Sequence, residues 1–220
     1  MKMIVTVDGP AGSGKSTVSR LLAKRLGVLY LDTGAMYRAV ALYVKRRKID
    51  IRDEVGLKAL CMDLDLKFSE DGTGSRLYSG EEDISSAIRT PEMDMLSSRV
   101  SAVGQVREAM TELQRKIGRE GSLVAEGRDM GSVVFPDADH KFFLTASPGV
   151  RAMRRFKERE DRGEDVSPGE VEEELRKRDA QDSARAIAPL RPAEDAMIID
   201  TSEMEVREVV DLALNIIHKR

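Results

Sequence analysis

The sequence predicts an α/β fold: a parallel five-stranded sheet with helices on both faces, a small antiparallel β insert and a helical lid. Three observations carry this. Short β-branched or apolar runs alternate with segments of helical spacing. A glycine-rich turn joins the first run to the first helix. A stretch of alternating polarity at 64–83 surrounds a turn-rich centre.

In order, residues 3–7 (MIVTV) read as a buried strand ending at Asp8-Gly9, and Val18, Leu21, Leu22 and Leu26 mark a helix from Ser16 to Leu26 with Gly27 just beyond. Residues 28–31 (VLYL) are the second strand, Asp32-Thr33-Gly34 a turn, and Ala35–Arg47 a helix with Met36, Val40, Tyr43 and Val44 on one face. In the insert, LDLKF and RLYSG flank SEDGTGS and predict a hairpin. Residues 97–118 read as one helix, and 122–126, 140–144 and 196–200 as the remaining strands. The charged stretch 151–185 predicts two helices broken at Gly163, with Ser167-Pro168-Gly169-Glu170 as a capping box. Apolar positions from Val206 to Ile217 make the last helix. One domain is expected over 1–220, with a region at about 35–118 that carries the β insert and a lid at about 151–170.

Composition narrows the function classes. Of 220 residues, 41% are hydrophobic and 34% charged, so a packed core is expected. The net charge of −3 argues against a nucleic-acid binder, so the arginines must act locally. Cys61 is the one cysteine and sits in an apolar stretch, which suggests a core residue in a reducing cytoplasm. The apolar run at the start is too short for a membrane span.

Residues 9–16 (GPAGSGKS) match G-x-x-x-x-G-K-[ST] through Gly9, Gly14, Lys15 and Ser16. The loop Gly9, Pro10, Ala11, Gly12, Ser13, Gly14, with Lys15, Ser16 and Thr17, follows a strand and opens a helix. Its backbone N–H groups and the positive helix end would cradle the phosphates of ATP. Lys15 would reach the β- and γ-phosphates and Ser16 would ligate Mg²⁺. The GTP-reading motif Asn-Lys-x-Asp is impossible, because Asn215 is the one asparagine.

Arginines point to an acceptor that is itself a phosphate. Arg38 follows the second strand, Arg128-Asp129 the third, and Arg178, Asp182 and Arg185 lie in RDAQDSAR. Segments at the carboxyl ends of strands face one crevice in such sheets, and guanidinium forks suit phosphate. A nucleoside monophosphate, with a second pKa near ~6, is already largely ionised at neutral pH and needs no strong base. His140 and His218 are poorly placed to be one.

GPAGSGKST, LDTGAMYR, EGRDMGSVVFPDA and RDAQDSARAIAPL, in this order, closely resemble the bacterial-type cytidylate kinases, over essentially the whole chain. The resemblance implies a P-loop nucleoside monophosphate kinase fold and transfer of the γ-phosphate of ATP to CMP or dCMP, with Mg²⁺. It places Thr33, Tyr37 and Arg38 beside the acceptor, and Ser98, Arg107 and Asp129 at the cytosine edge. It places Asp182 at the ribose hydroxyls, and Arg38, Arg128 and Arg185 around the acceptor phosphate. Arg178 falls near the transferring group, which makes Lys15, Arg128, Arg178 and Arg185 the expected catalytic set. Arg154, Arg155, Arg159 and Arg162 are the lid candidates for the ATP phosphates, and Glu126 stands where many relatives carry aspartate. A cytoplasmic monomer with no nucleic-acid or membrane partner is expected. The rivals are another small-molecule P-loop kinase, for UMP/CMP or shikimate, and a regulatory or assembly ATPase.

Overall fold

The computed structural model describes residues 2–71 and 74–219. The first elements are β1 (Ile4–Asp8), α1 (Lys15–Leu26), β2 (Leu29–Asp32), α2 (Thr33–Arg46) and α3 (Glu54–Asp63). Then come β3 (Leu66–Asp71), β4 (Gly74–Ser79), β5 (Glu82–Asp83), α4 (Pro91–Val100) and α5 (Gly104–Glu120). After β6 (Leu123–Gly127), a π-helical turn (Met130–Val134) leads to β7 (His140–Thr145), α6 (Pro148–Glu160), α7 (Pro168–Ser183), β8 (Met197–Asp200) and α8 (Val206–His218). The chain divides into two compact units, Met1–Tyr30 with Gly121–Arg220, and Leu31–Glu120.

The large sheet is five-stranded and parallel, in the order β2-β6-β1-β7-β8. β1 pairs with β6 from Ile4↔Leu123 to Asp8↔Gly127 and with β7 from Val5↔His140 to Asp8↔Phe143. Alternation along β1 assigns its faces. Val5 and Val7 join Val124, Phe142, Leu144 and Ile199 beneath Val18 and Leu22 of α1 and Val209, Val210, Ala213 and Ile217 of α8. Thr6 and Asp8 point the other way and meet the π-helical turn. A second apolar cluster joins α6 and α7 to the phosphate loop: Ala11, Ala152, Val171 and Leu175 pack together, with Phe156 and Val166 against them.

Helix ends follow the expected chemistry. α7 carries the full capping box between Ser167 and Glu170, with Pro168 in the first turn. Gly163 adopts φ 74 between α6 and α7, where the break was expected. α2 begins earlier than its apolar spacing suggests. The Asp32 side chain accepts from Ala35 N at 2.8 Å, so the polar triplet Asp32-Thr33-Gly34 is a helix N-cap and first turn, not a free turn.

Within Leu31–Glu120, α2 packs on α4 and α3 on α5. The insert is a three-stranded antiparallel sheet in the order β3-β4-β5, with Phe68 opposite Leu77. The expected hairpin is present, but its tip at Gly72-Thr73 lies outside the described residues. The two-residue strand β5 is too short to read from periodicity. Cys61 is buried, and burial pushes its thiol up to about 11, as suits a core residue.

The single helix expected over 97–118 is corrected by the structure to two. Thr90 caps α4, with Pro91 in its first turn, and α4 ends at Val100; turns at Ala102 and Val103 intervene before α5 starts at Gly104. Nothing in the polarity of Ser101-Ala102-Val103 marks this corner. Its closure is tertiary: the buried Arg107 guanidinium donates to Ser101 O at 3.1 Å, capping a carbonyl that the ended helix leaves free.

Candidate active site

The loop from Gly9 to Gly14 is held by close backbone packing. A Cβ on Gly9, at φ 151, would stand 2.1 Å from Leu144 O. On Gly12, at φ 76, it would stand 2.7 Å from Arg151 O. Gly14, at φ 83, is the N-cap of α1 and supplies no side-chain cap. The first N–H groups of α1 are therefore open to an anion. Arg151 braces the loop from α6, donating to Ala11 O at 3.1 Å and to Ala146 O at 3.1 Å, and pairing with Asp179 of α7 at 2.5 Å. Thr201 Oγ1 donates to Ser13 O at 3.1 Å from the other side.

Lys15 is buried, and its ammonium donates to Pro10 O at 3.2 Å. Burial first, then the Arg128 and Arg178 charges, pull it down to about 7 against the opposing pull of Glu126 and Asp182. Lys15 thus lies where positive charge is in excess. Ser16 Oγ donates to Glu126 Oε1 at 2.8 Å. One hydroxyl and one carboxylate side by side are hard oxygen donors of the kind Mg²⁺ uses while keeping water and phosphate ligands, so the residues fit that ion.

Behind them lies an ion cluster around Asp182, which is 1% exposed. Arg128 Nε donates to Asp182 Oδ2 at 2.9 Å and Arg185 donates to Oδ1 at 2.5 Å. Burial opposes ionisation of Asp182, yet Arg128, Arg185 and Arg178 together hold it below the usual carboxylate range. Arg128, Arg178, Asp182 and Arg185 are thus brought together within one unit with Lys15. The two oxygens of Asp182, which the resemblance assigns to ribose, here orient two arginines. Asp129 is buried next to Arg128, and its carbonyl accepts from Val133 N and Val134 N at 2.9 and 3.1 Å as the π-helical turn opens.

Leu31–Glu120 holds the other expected residues. Thr33 opens α2, and Tyr37 and Arg38 follow about one turn later. Arg38 reaches Asp32 at 3.4 Å and Asp94 of α4 at 3.8 Å, and Ser98 lies one turn beyond Asp94. The Arg107 guanidinium of α5 sits 5.6 Å from the Tyr37 ring centre. These five residues occupy three neighbouring helices, α2, α4 and α5.

Comparison with known proteins shows the family. A family model described as "Cytidylate kinase" matches residues 5–219. The chain belongs to the cytidylate kinase family. Among its relatives, a cytidylate kinase from Syntrophotalea carbinolica is 49% identical, covering 100% of this chain and 93% of that protein. A cytidylate kinase from Geobacter sp. (strain M21) is 47% identical, covering 99% of this chain and 94% of that one. An uncharacterized protein from Eubacterium ventriosum, with a solved structure, shares the fold at TM-score 0.57 and 13% identity, each chain covered in full. As in any cytidylate kinase family member, the chemistry is phosphoryl transfer.

Of Arg154, Arg155, Arg159 and Arg162, Arg154 approaches the phosphate loop: it donates to Thr201 Oγ1 and Thr201 O, and lies 3.8 Å from the position of a Gly14 Cβ. Arg155 pairs with Glu158, Arg159 with Glu164 and Glu174, and Arg162 with Glu164. The sequence reading missed Asp8, Asp94, Arg151 and Thr201. For Asp8 a signal existed, a carboxylate closing an apolar strand immediately before the glycine loop. For the others, one charged or hydroxyl residue among many gives none.

Proposed function

We propose that the chain transfers the γ-phosphate of ATP to CMP or dCMP, giving ADP and CDP or dCDP. The observation that carries this is the cluster of half-buried Arg128, Arg178 and Arg185 around the buried Asp182, beside the buried Lys15 of the phosphate loop. An ionised phosphate acceptor needs charge neutralisation and in-line placement, not deprotonation.

In this reading Gly9–Thr17 bind the triphosphate through loop N–H groups, and Arg154 is the lid arginine nearest to it. Ser16, oriented by Glu126, would hold Mg²⁺, which when bound neutralises charge on the β- and γ-phosphates. Lys15 and Arg178 stabilise the phosphoryl group in transfer. Arg38, Arg128 and Arg185 hold the acceptor phosphate, with Asp182 fixing the last two. Thr33 and Tyr37 line the acceptor nucleotide. Ser98, Arg107 and Asp129 read cytosine: Asp129 accepts from the exocyclic amine while Arg107 and Ser98 donate to N3 and O2. Uracil would set a carbonyl against the Asp129 carboxylate, a polar mismatch of the kind that discriminates strongly. Residues 151–170 act as a lid and 35–118 as the acceptor-binding region. A cytoplasmic monomer acting on free nucleotides completes the proposal; among the described residues no helix is long and apolar enough to cross a membrane.

The test is product analysis with ATP, Mg²⁺ and CMP. CDP and ADP should appear in equal amounts. ADP formed at the same rate with or without CMP would instead mark a hydrolase.

A further inference from the structure

Asp8 is a buried carboxylate that no step above uses. It is 4% exposed and closes β1 directly before Gly9. Its Oδ1 accepts from Met130 N at 2.9 Å and its Oδ2 from Gly131 N at 2.8 Å. Its backbone is the register partner of Gly127 in β6. One residue therefore fixes the chain on both sides of Arg128-Asp129, by sheet register before the pair and by side chain after it. A span of two residues held at both ends has little freedom to shift.

The choice of a carboxylate follows from the donors. Met130 and Gly131 open a π-helical turn, so their N–H groups have no partner earlier in that turn. Here each of the two adjacent donors meets its own oxygen, and an ionised carboxylate is a small side chain that offers two acceptors and no donor. An asparagine would direct its amide N–H₂ at one of them. The carboxyl is kept despite its cost: burial, the largest influence, together with the Asp129 charge, pushes Asp8 up to about 7 against the lowering effect of Gly131 N, Met130 N and Arg128. The turn is also tightly seated, since a Cβ on Gly131 would stand 2.8 Å from Thr6 Oγ1.

We propose that Asp8 is a positioning residue, which sets Arg128 and Asp129 against the phosphate loop and thereby governs acceptor affinity and base selectivity. This rests on the reading that Arg128 and Asp129 hold the acceptor. A displacement of up to an ångström at a reacting group costs up to about 10²-fold. Asp8→Asn should therefore lower kcat/KM for CMP by about tenfold to a hundredfold and reduce the preference for CMP over UMP. The KM for ATP should stay within about twofold, because the loop glycines are untouched.

The experiment measures kcat and KM for ATP, CMP and UMP in wild type, Asp8→Asn, Asp129→Ala and Gly131→Ala. A purely structural Asp8 would lower the active fraction and reduce CMP and UMP turnover in parallel. An unchanged CMP/UMP ratio in Asp8→Asn, alongside a reduced ratio in Asp129→Ala, overturns the role of Asp8 and leaves the acceptor reading standing. An unchanged ratio in Asp129→Ala removes both. Should Asp8→Asn not fold, Gly131→Ala moves the same turn from its other side. It should show the same loss of selectivity, relieved in the double variant with Thr6→Ala, which removes the clashing hydroxyl. A silent Gly131→Ala, or a loss that Thr6→Ala leaves in place, overturns the proposal.

Discussion

Asp182→Asn tests the electrostatic core of the site. In the wild type, one carboxylate, 1% exposed, answers two guanidiniums whose side chains are 15% and 9% exposed. The amide keeps the shape and one acceptor, but turns a donor toward the other arginine and leaves two positive charges uncompensated beside Lys15. Removing one member of a buried ion pair costs about 3–5 kcal/mol. For a chain of this size that is a fall in Tm of roughly 6–20 °C. The sign with pH follows from the depressed carboxyl. Its stabilising contribution is complete above its unfolded value of 3.8 and is lost as pH falls through the lower folded value. The gap between wild type and variant should be full at pH 7 and close in strong acid. Calorimetric unfolding from pH 7 downward measures it. A variant within about 1 kcal/mol of wild type at pH 7, the range of an exposed pair, would refute the view that Asp182 organises these arginines.

Three further outcomes follow from the same geometry. Gly9→Ala should be far more damaging than Gly14→Ala: its Cβ would meet Leu144 O at 2.1 Å, whereas that of Gly14 meets nothing nearer than Arg154 at 3.8 Å, so Gly14→Ala should cost only the roughly 1–2 kcal/mol of a left-handed alanine; Tm and the KM for ATP report both. Lys15, held near 7 in the unliganded protein, should regain its proton when phosphates arrive. Titration calorimetry of ATP at pH 8 in buffers of different ionisation enthalpy should then show net proton uptake, absent in Lys15→Arg; equal uptake in both would exclude Lys15 as the source. Arg107→Ala should lower stability by about 1–3 kcal/mol, because Ser101 O loses its donor at a buried corner, and should raise the KM for CMP while sparing that for ATP.

The legible parts of this protein are those where local chemistry decides. Gly9, Gly14, Lys15 and Ser16 announce their loop because only that backbone shape needs those residues there. Ser167 and Glu170 announce the start of α7 because a capping box is a local device. The β1 alternation, with Val5 and Val7 on one side and Thr6 and Asp8 on the other, is also visible, though its two functions are not. What stays hidden depends on distant partners. The corner at Ser101 reads as continuous helix until Arg107 is seen capping it. Asp32 looks like a turn residue until Ala35 N is found on its carboxylate. Asp182 is placed at the ribose by resemblance, and its contacts to Arg128 and Arg185 appear only in the structure. Arginines at 154, 155, 159 and 162 are equivalent in sequence and differ only in what faces them: Thr201 for Arg154 and glutamates for the rest.

The most direct test of the central claim is the specificity constant for each acceptor, measured by coupled ADP release with ATP and Mg²⁺ held saturating. CMP or dCMP should give the highest kcat/KM, with UMP and AMP well below. Faster turnover of UMP or AMP would contradict the assignment of Ser98, Arg107 and Asp129 to cytosine.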